Sequence, residues 1–197
     1  TRPLEALYDC QTDPQNLKNL ASDRKYAKQL NRMRGIQKQW TREVRDLGFL
    51  PEELIRDLSQ GSTPYEAVRE EKTFPSDDLV DAVDLIGIDE ERRDELLSLL
   101  GENDPSLRYW GLVGLNEHDY ICETCFDDLK YVLDDDAGCN RVLAAFLLHE
   151  NDQKDGLPVL LEALKEDDPD LVLQTSRALE LLGPQAKPAI PVMKVVL

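Results

Sequence analysis

Cysteine and histidine are the side chains of this sequence best suited to chemistry, and there are few of them. The cysteines are Cys10, Cys122, Cys125 and Cys139, and the histidines are His118 and His149. Cys122 and Cys125 form a C-x2-C pair, the spacing at which two thiols can share a metal ion or close a disulfide. Zinc would need further ligands, drawn from Cys139, His118 or His149. Two features weigh against it. The run "YICETCFDDLKYVL" reads as a helix, whereas most zinc pairs of this spacing sit on a turn. A second C-x2-C, or a neighbouring histidine pair, is also missing. A metal site, a disulfide and buried free thiols are the open readings.

Other constellations are thinner. Neither a glycine-rich phosphate loop nor a Ser/His/Asp arrangement is evident. The acidic run "VLDDDAGCN" (132–140) lacks the alternating ligands and terminal Glu of an EF-hand, and reads as a turn with acidic helix caps. Arg108, Tyr109 and Trp110 could form a surface patch, or pack between helical units. No catalytic, cofactor-binding or metal-ligating residue is therefore assigned. An enzyme complete in this chain is the weakest of the functional readings.

The formal net charge of −17, from 40 acidic and 23 basic residues, repels polyanions. That argues against nucleic acid as a partner, and against a direct grip on a sulfated glycan. Basic side chains concentrate locally in "RKYAKQLNRMRGIQKQWTREVR" (24–45), a solvated helix face or an anion-binding surface. No apolar run approaches the roughly 20 residues of a membrane span, so none is expected.

The elements that would position these residues are mostly helical. Residues 4–9, "LEALYD", predict a short strand, and "TDP" a turn. Pro14 suits the start of a helix over "PQNLKNLA". Asp23 can cap the next, long helix, with Gly48 as its C-terminal cap. Along it Tyr26, Leu30, Met33, Gln37, Trp40, Val44 and Leu47 form a stripe broken only by Gln37, with Trp40 expected to pack. Pro51, Pro64 and Pro75 punctuate a linker with short helices over 49–76.

From residue 77 the chain repeats with a period of 32 residues, without insertion. Val83, Leu115, Leu147 and Leu179 share a column, and so do Ala82, Gly114, Phe146 and Ala178. Asp104, Asp136 and Asp168 align at the starts of successive rows. Leu97, Leu129, Leu161 and Met193 align further on, followed by Leu100, Val132, Leu164 and Val196. Each row divides into two amphipathic segments. A pair with one apolar face cannot bury it alone, so neighbours must stack, giving an α-solenoid of four helix pairs over 77–197.

These rows resemble HEAT repeats, in which an aspartate precedes the first helix and an arginine follows. Asp104 with Arg108 fits, and Asp136 with Arg141 fits loosely. Asp168 has Val172 where the arginine would stand. The resemblance implies a packing module for protein contacts or a homo-oligomer.

Residues 5–40, "EALYDCQTDPQNLKNLASDRKYAKQLNRMRGIQKQW", resemble the C-terminal closing segment of the sulfatase family. Leu7, Tyr8, Asp9, Asp13, Pro14, Asn19, Leu20, Ala21 and Trp40 match it, while Cys10 replaces a usual Leu. "GFLPEEL", "GSTPYEAVRE" and "DPSLRYWGLVGL" resemble the tail of bacterial sulfatases with a HEAT-like extension. The resemblance implies a mainly α fold, with HEAT-like hairpins preceded by a short edge strand and a long helix of a sulfatase domain (1–48). It implies that the catalytic domain, with its calcium and formylglycine, lies outside this chain. No cysteine here heads the x-Pro-x-Arg context that formylglycine formation requires. It also implies a periplasmic or secreted location. The alternative is a stand-alone HEAT-repeat scaffold or adaptor.

Overall fold

The computed structural model describes residues 3, 5–70, 74–86, 92–117 and 120–196, except the side chains of Glu70 and Val196. Leu4, His118 and the 87–91 stretch fall outside the described residues. The described chain is mainly helical and divides into two compact units, Thr1–Asp46 and Leu47–Leu197.

In the first unit, the strand expected at 4–9 is absent among the described residues. A strand needs a partner ladder for its backbone groups. Here a side chain takes that part: the Leu7 N–H donates to Asn19 Oδ1 (2.9 Å), and Asn19 Nδ2 donates to the Glu5 carbonyl (3.0 Å). The Leu20 N–H reaches back to the Leu7 carbonyl (2.8 Å). The helix expected after Pro14 is also absent. Asp13 accepts from the Lys18 N–H (2.8 Å) and Asn16 turns at φ 54°, so the side chains outcompete a first helical turn.

The long helix α1 (Ala27–Val44) follows a 3-10 turn whose start Asp23 caps, accepting from the Lys25 N–H at 3.0 Å. It stops at Arg45, in the left-handed region at φ 52°, three residues before the expected Gly48. Gly48 instead lies in a separate 3-10 turn, Leu47–Phe49.

The second unit contains α2 (Glu52–Leu58), α3 (Pro64–Glu70), α4 (Ser76–Leu85), α5 (Arg93–Leu99), α6 (Pro105–Glu117) and α7 (Phe126–Val132). It continues with α8 (Gly138–Glu150), α9 (Gly156–Ala163), α10 (Pro169–Leu182) and α11 (Ile190–Val196). A capping box opens α3, where Thr63 and Glu66 exchange hydrogen bonds. The helices α4, α6, α8 and α10 pack in succession, each on the next. Against that row, α5 lies on α6, α7 on α8, and α9 on both α8 and α10.

The core follows the 32-residue columns in part, since Val83, Leu97, Leu161 and Met193 are only half-buried. Leu115, Leu147 and Leu179 are buried, as are Leu100, Val132 and Leu164. At Gly114 the approach is close: a Cβ there would lie 2.4 Å from Leu96 Cδ2. Gly156 is more restrictive, because a Cβ would lie 2.1 Å from the Ala145 carbonyl oxygen where α9 crosses α8.

Candidate functional site

The residues singled out in the first unit build a turn rather than a reaction centre. Asn19 clamps the backbone of residues 5–7, and Leu7 and Leu20 are buried. Asp9 accepts from the Gln11 N–H at 3.1 Å. The Thr12 hydroxyl, followed by the Gln11 N–H, holds the Asp9 carboxyl below its usual range. Backbone N–H groups of Lys18 and Leu17 do the same for Asp13. Arg34 on α1 pairs with Glu5 and ties the stub to the helix.

The stripe along α1 is half-buried at Leu30 and Val44 but does not pack at its middle, against the expectation for Trp40. Met33, Ile36 and Trp40 are more than half exposed, and Thr41 is the buried residue of this helix. The first unit is too small to supply an apolar layer of its own over this face. It is left as a patch of large hydrophobic side chains flanked by basic ones.

In the second unit, Arg108 and Arg141 reach from one row to the next. Arg108 pairs with Asp135 (2.6 Å) and Asp136 (2.6 Å), and also donates to the carbonyls of Glu102 and Asn103. Asp135 is 3% exposed and Arg108 12%, so this pair is largely shielded from water. Burial pushes the Asp135 carboxyl up, but the Arg108 guanidinium and the Ala137 N–H outweigh it and hold the group below its usual value. Arg141 donates to the carbonyls of Asp135 and Asp136 and pairs with Glu166 near the end of its own row (2.9 Å). The acidic run 132–140 is thus occupied by internal partners.

Two positions in the rows lack a polar side chain, and α2 supplies both. Ala137, at the cap of α8, has no side-chain acceptor. Glu53 takes that role from 85 residues away, accepting from the N–H groups of Gly138 (2.8 Å) and Cys139 (2.6 Å). Asp168 caps α10, accepting from Asp170 and Leu171, and has Val172 in place of a row arginine. Arg56, one helical turn beyond Glu53, pairs with Asp168 and Asp170. Trp110 completes the attachment: its Nε1–H donates to the Phe49 carbonyl (2.7 Å), and its ring meets Phe49 edge-on at 6.1 Å. Trp110 therefore packs against the segment preceding α2, and burial pushes the neighbouring Tyr109 hydroxyl up.

The cysteines occupy different surroundings. Cys139 is buried in the first turn of α8, where burial and then the Glu53 charge push its thiol up. Cys10 is exposed. Cys122 is extended and precedes the 3-10 turn Glu123–Cys125, so the C-x2-C pair spans the start of a helix instead of lying within one. Cys122 is partly exposed and Cys125 buried, with their sulfurs 3.3 Å apart. His149 Nε2 lies 3.5 Å from the Gln185 carbonyl, and its buried Nδ1 has no hydrogen-bond partner. His118 lies outside the described residues.

Among the described residues, no group of three or more His, Cys, Asp or Glu side chains is placed to hold a metal ion. The acidic run does not fit a calcium site, since Asp135 and Asp136 are spent on Arg108, Asn140 and helix-start N–H groups. Among the described residues no helix is long and apolar enough to cross a membrane.

No family model matches the chain, and no solved structure matches it. Over 72 residues it is 38% identical to an ulvan-active sulfatase of Formosa agariphila, a stretch covering 36% of this chain and 12% of that relative's length. The likeness supports a sulfatase relationship for part of the chain.

Proposed function

We propose that this chain is the C-terminal region of a sulfatase, a hydrolase of sulfuric esters or sulfamates, and carries no catalytic group of its own. Residues 1–48 would close the sulfatase domain, 49–76 would fasten it to the extension, and 77–197 would form a HEAT-like solenoid of four helix pairs. The extension would stabilise the enzyme or contact another protein or a second copy. The catalytic domain, holding calcium and formylglycine, would be supplied by sequence outside this chain, in a periplasmic or secreted protein.

One observation carries this reading. The residues that resemble the sulfatase closing segment, Leu7, Asp9, Asp13, Asn19 and Leu20, build a clamped turn beside an apolar helix face that is left open. The clamped turn and the exposed Met33, Ile36 and Trp40 would pack on the catalytic domain. The 38% likeness to a sulfatase agrees.

The test is to produce the upstream catalytic portion separately and mix it with this chain. The wild-type chain is expected to bind it, and a Met33→Glu, Trp40→Glu variant to lose binding while keeping its own helicity. Equal behaviour of the two chains would overturn the docking role of α1 and favour a stand-alone adaptor.

A further inference from the structure

We propose that Cys122 and Cys125 form a thiol–disulfide exchange site, in which Cys122 attacks a disulfide substrate and Cys125 resolves the mixed disulfide. The geometry already brings the two sulfurs to 3.3 Å, and the Cys125 N–H donates to the Cys122 carbonyl (2.8 Å), closing a tight turn. Bond formation then asks the sulfurs to approach by roughly 1.2 Å. The two sulfurs differ in access as the roles require, since Cys122 is partly exposed and Cys125 buried.

Their surroundings divide the roles further. Thr124 Oγ1 lies 3.0 Å from Cys122 Sγ, and Arg93 of α5 donates to the same sulfur at 3.4 Å. The Thr124 hydroxyl, then the Cys125 thiol and the Arg93 charge, lower the Cys122 thiol to about 7. Asp94 lies 3.8 Å from Arg93 and tempers that charge. Burial pushes the Cys125 thiol up, and its Sγ points at the Tyr120 carbonyl (3.5 Å). Near neutral pH the outer sulfur is substantially ionised while the inner one stays protonated, the division an attacking and a resolving thiol need.

The chemistry balances with a low-molecular-weight disulfide as oxidant. The Cys122 thiolate attacks one sulfur of that disulfide, forming a mixed disulfide and expelling one thiolate. Cys125 then loses its proton and attacks Cys122 Sγ, and the second thiolate departs. The two protein thiols lose two electrons and two protons, and the oxidant is reduced to two thiols. A metal site would need additional ligands, and among the described residues none converge with this pair.

Full-length chain carrying Cys10→Ser, reduced and then treated with oxidised glutathione, provides the test. Intact mass should fall by two hydrogens, and peptide mapping should join Cys122 to Cys125. Cys125→Ser should instead accumulate one glutathione on Cys122. In the reduced chain, alkylation of Cys122 should titrate with a midpoint near 7, against the ordinary 9.0. At pH 7 that raises the thiolate fraction about fiftyfold. The weaker nucleophile returns about eightfold, so Cys122 should react roughly sixfold faster than the same residues in a synthetic peptide. Failure to form the intramolecular bond, glutathione landing first on Cys125, a midpoint near 9, or stoichiometric zinc that blocks exchange would each overturn the proposal.

Discussion

Glu53 is expected to hold α8 from outside the row, and its removal measures how far α2 belongs to the folded unit. The carboxylate receives the N–H groups of Gly138 and Cys139, and Ala137 offers no replacement. Losing a capping side chain costs about 0.5–2 kcal/mol, and hydrogen bonds to a charged group contribute about 1.5–3. Glu53 is partly exposed, so water can take over some of the lost bonding. Glu53→Ala should therefore destabilise the chain by about 2 kcal/mol, or roughly 4–8 °C in Tm for a protein of this size. Glu53→Gln keeps one acceptor and should cost about half as much. Ala137 has the extended backbone of a helix cap (φ −81°, ψ 121°), so Ala137→Ser can supply a local acceptor. In the Glu53→Ala background it should restore about 1 kcal/mol, but little when Glu53 is present. Urea unfolding followed by circular dichroism reads the wild type and all four variants. A Glu53→Ala variant within about 0.5 kcal/mol of wild type would refute the reasoning. So would an Ala137→Ser gain of equal size in both backgrounds.

Asp135→Asn should cost about 3 kcal/mol at neutral pH, the low end for breaking a shielded pair, because Asp136 still faces Arg108. The folded Asp135 carboxyl titrates below its ordinary 3.8, so its contribution is complete above that pH and fades as the pH falls through the folded value. Unfolding curves of the variant and wild type should accordingly converge in acid, and a gap constant from pH 7 to pH 2 would rule the pair out. Gly156→Ala should destabilise by about 2 kcal/mol, because added volume must displace the α8 backbone and this outweighs the better helix propensity of Ala. A thermal melt no lower than wild type would show that α9 does not cross α8 as described.

Periodicity carried α4 to α10 because each buries apolar side chains, and Leu115, Leu147 and Leu179 of one column lie in the core. Asp168 likewise stands at a helix start, as its place before Pro169 suggests. The part played by α2 was not legible, since Glu53 and Arg56 complement Ala137 and the Asp168 row from 85 and 112 residues away. The nearest local hint is negative: a cap without an acceptor and a row without its arginine. In the first unit, local side-chain bonding overrode propensity. Asn19 and Asp13 take the backbone groups of residues 5–7 and Lys18, so neither the expected strand nor the helix after Pro14 forms. The α1 stripe was legible as apolar, but its exposure was not, because spacing does not say whether a covering layer exists. The Cys122–Cys125 pair was visible by spacing, whereas the contacts of Arg93 and Thr124 with Cys122 depend on the fold.

Hydrolysis of an aryl sulfate, measured side by side for this chain alone and for the longer polypeptide proposed to contain it, addresses the central claim most directly. The account predicts no turnover by the isolated chain, with or without added calcium, and turnover by the longer polypeptide. Sulfate release by the isolated chain, or none by the longer polypeptide under matched conditions, would contradict it.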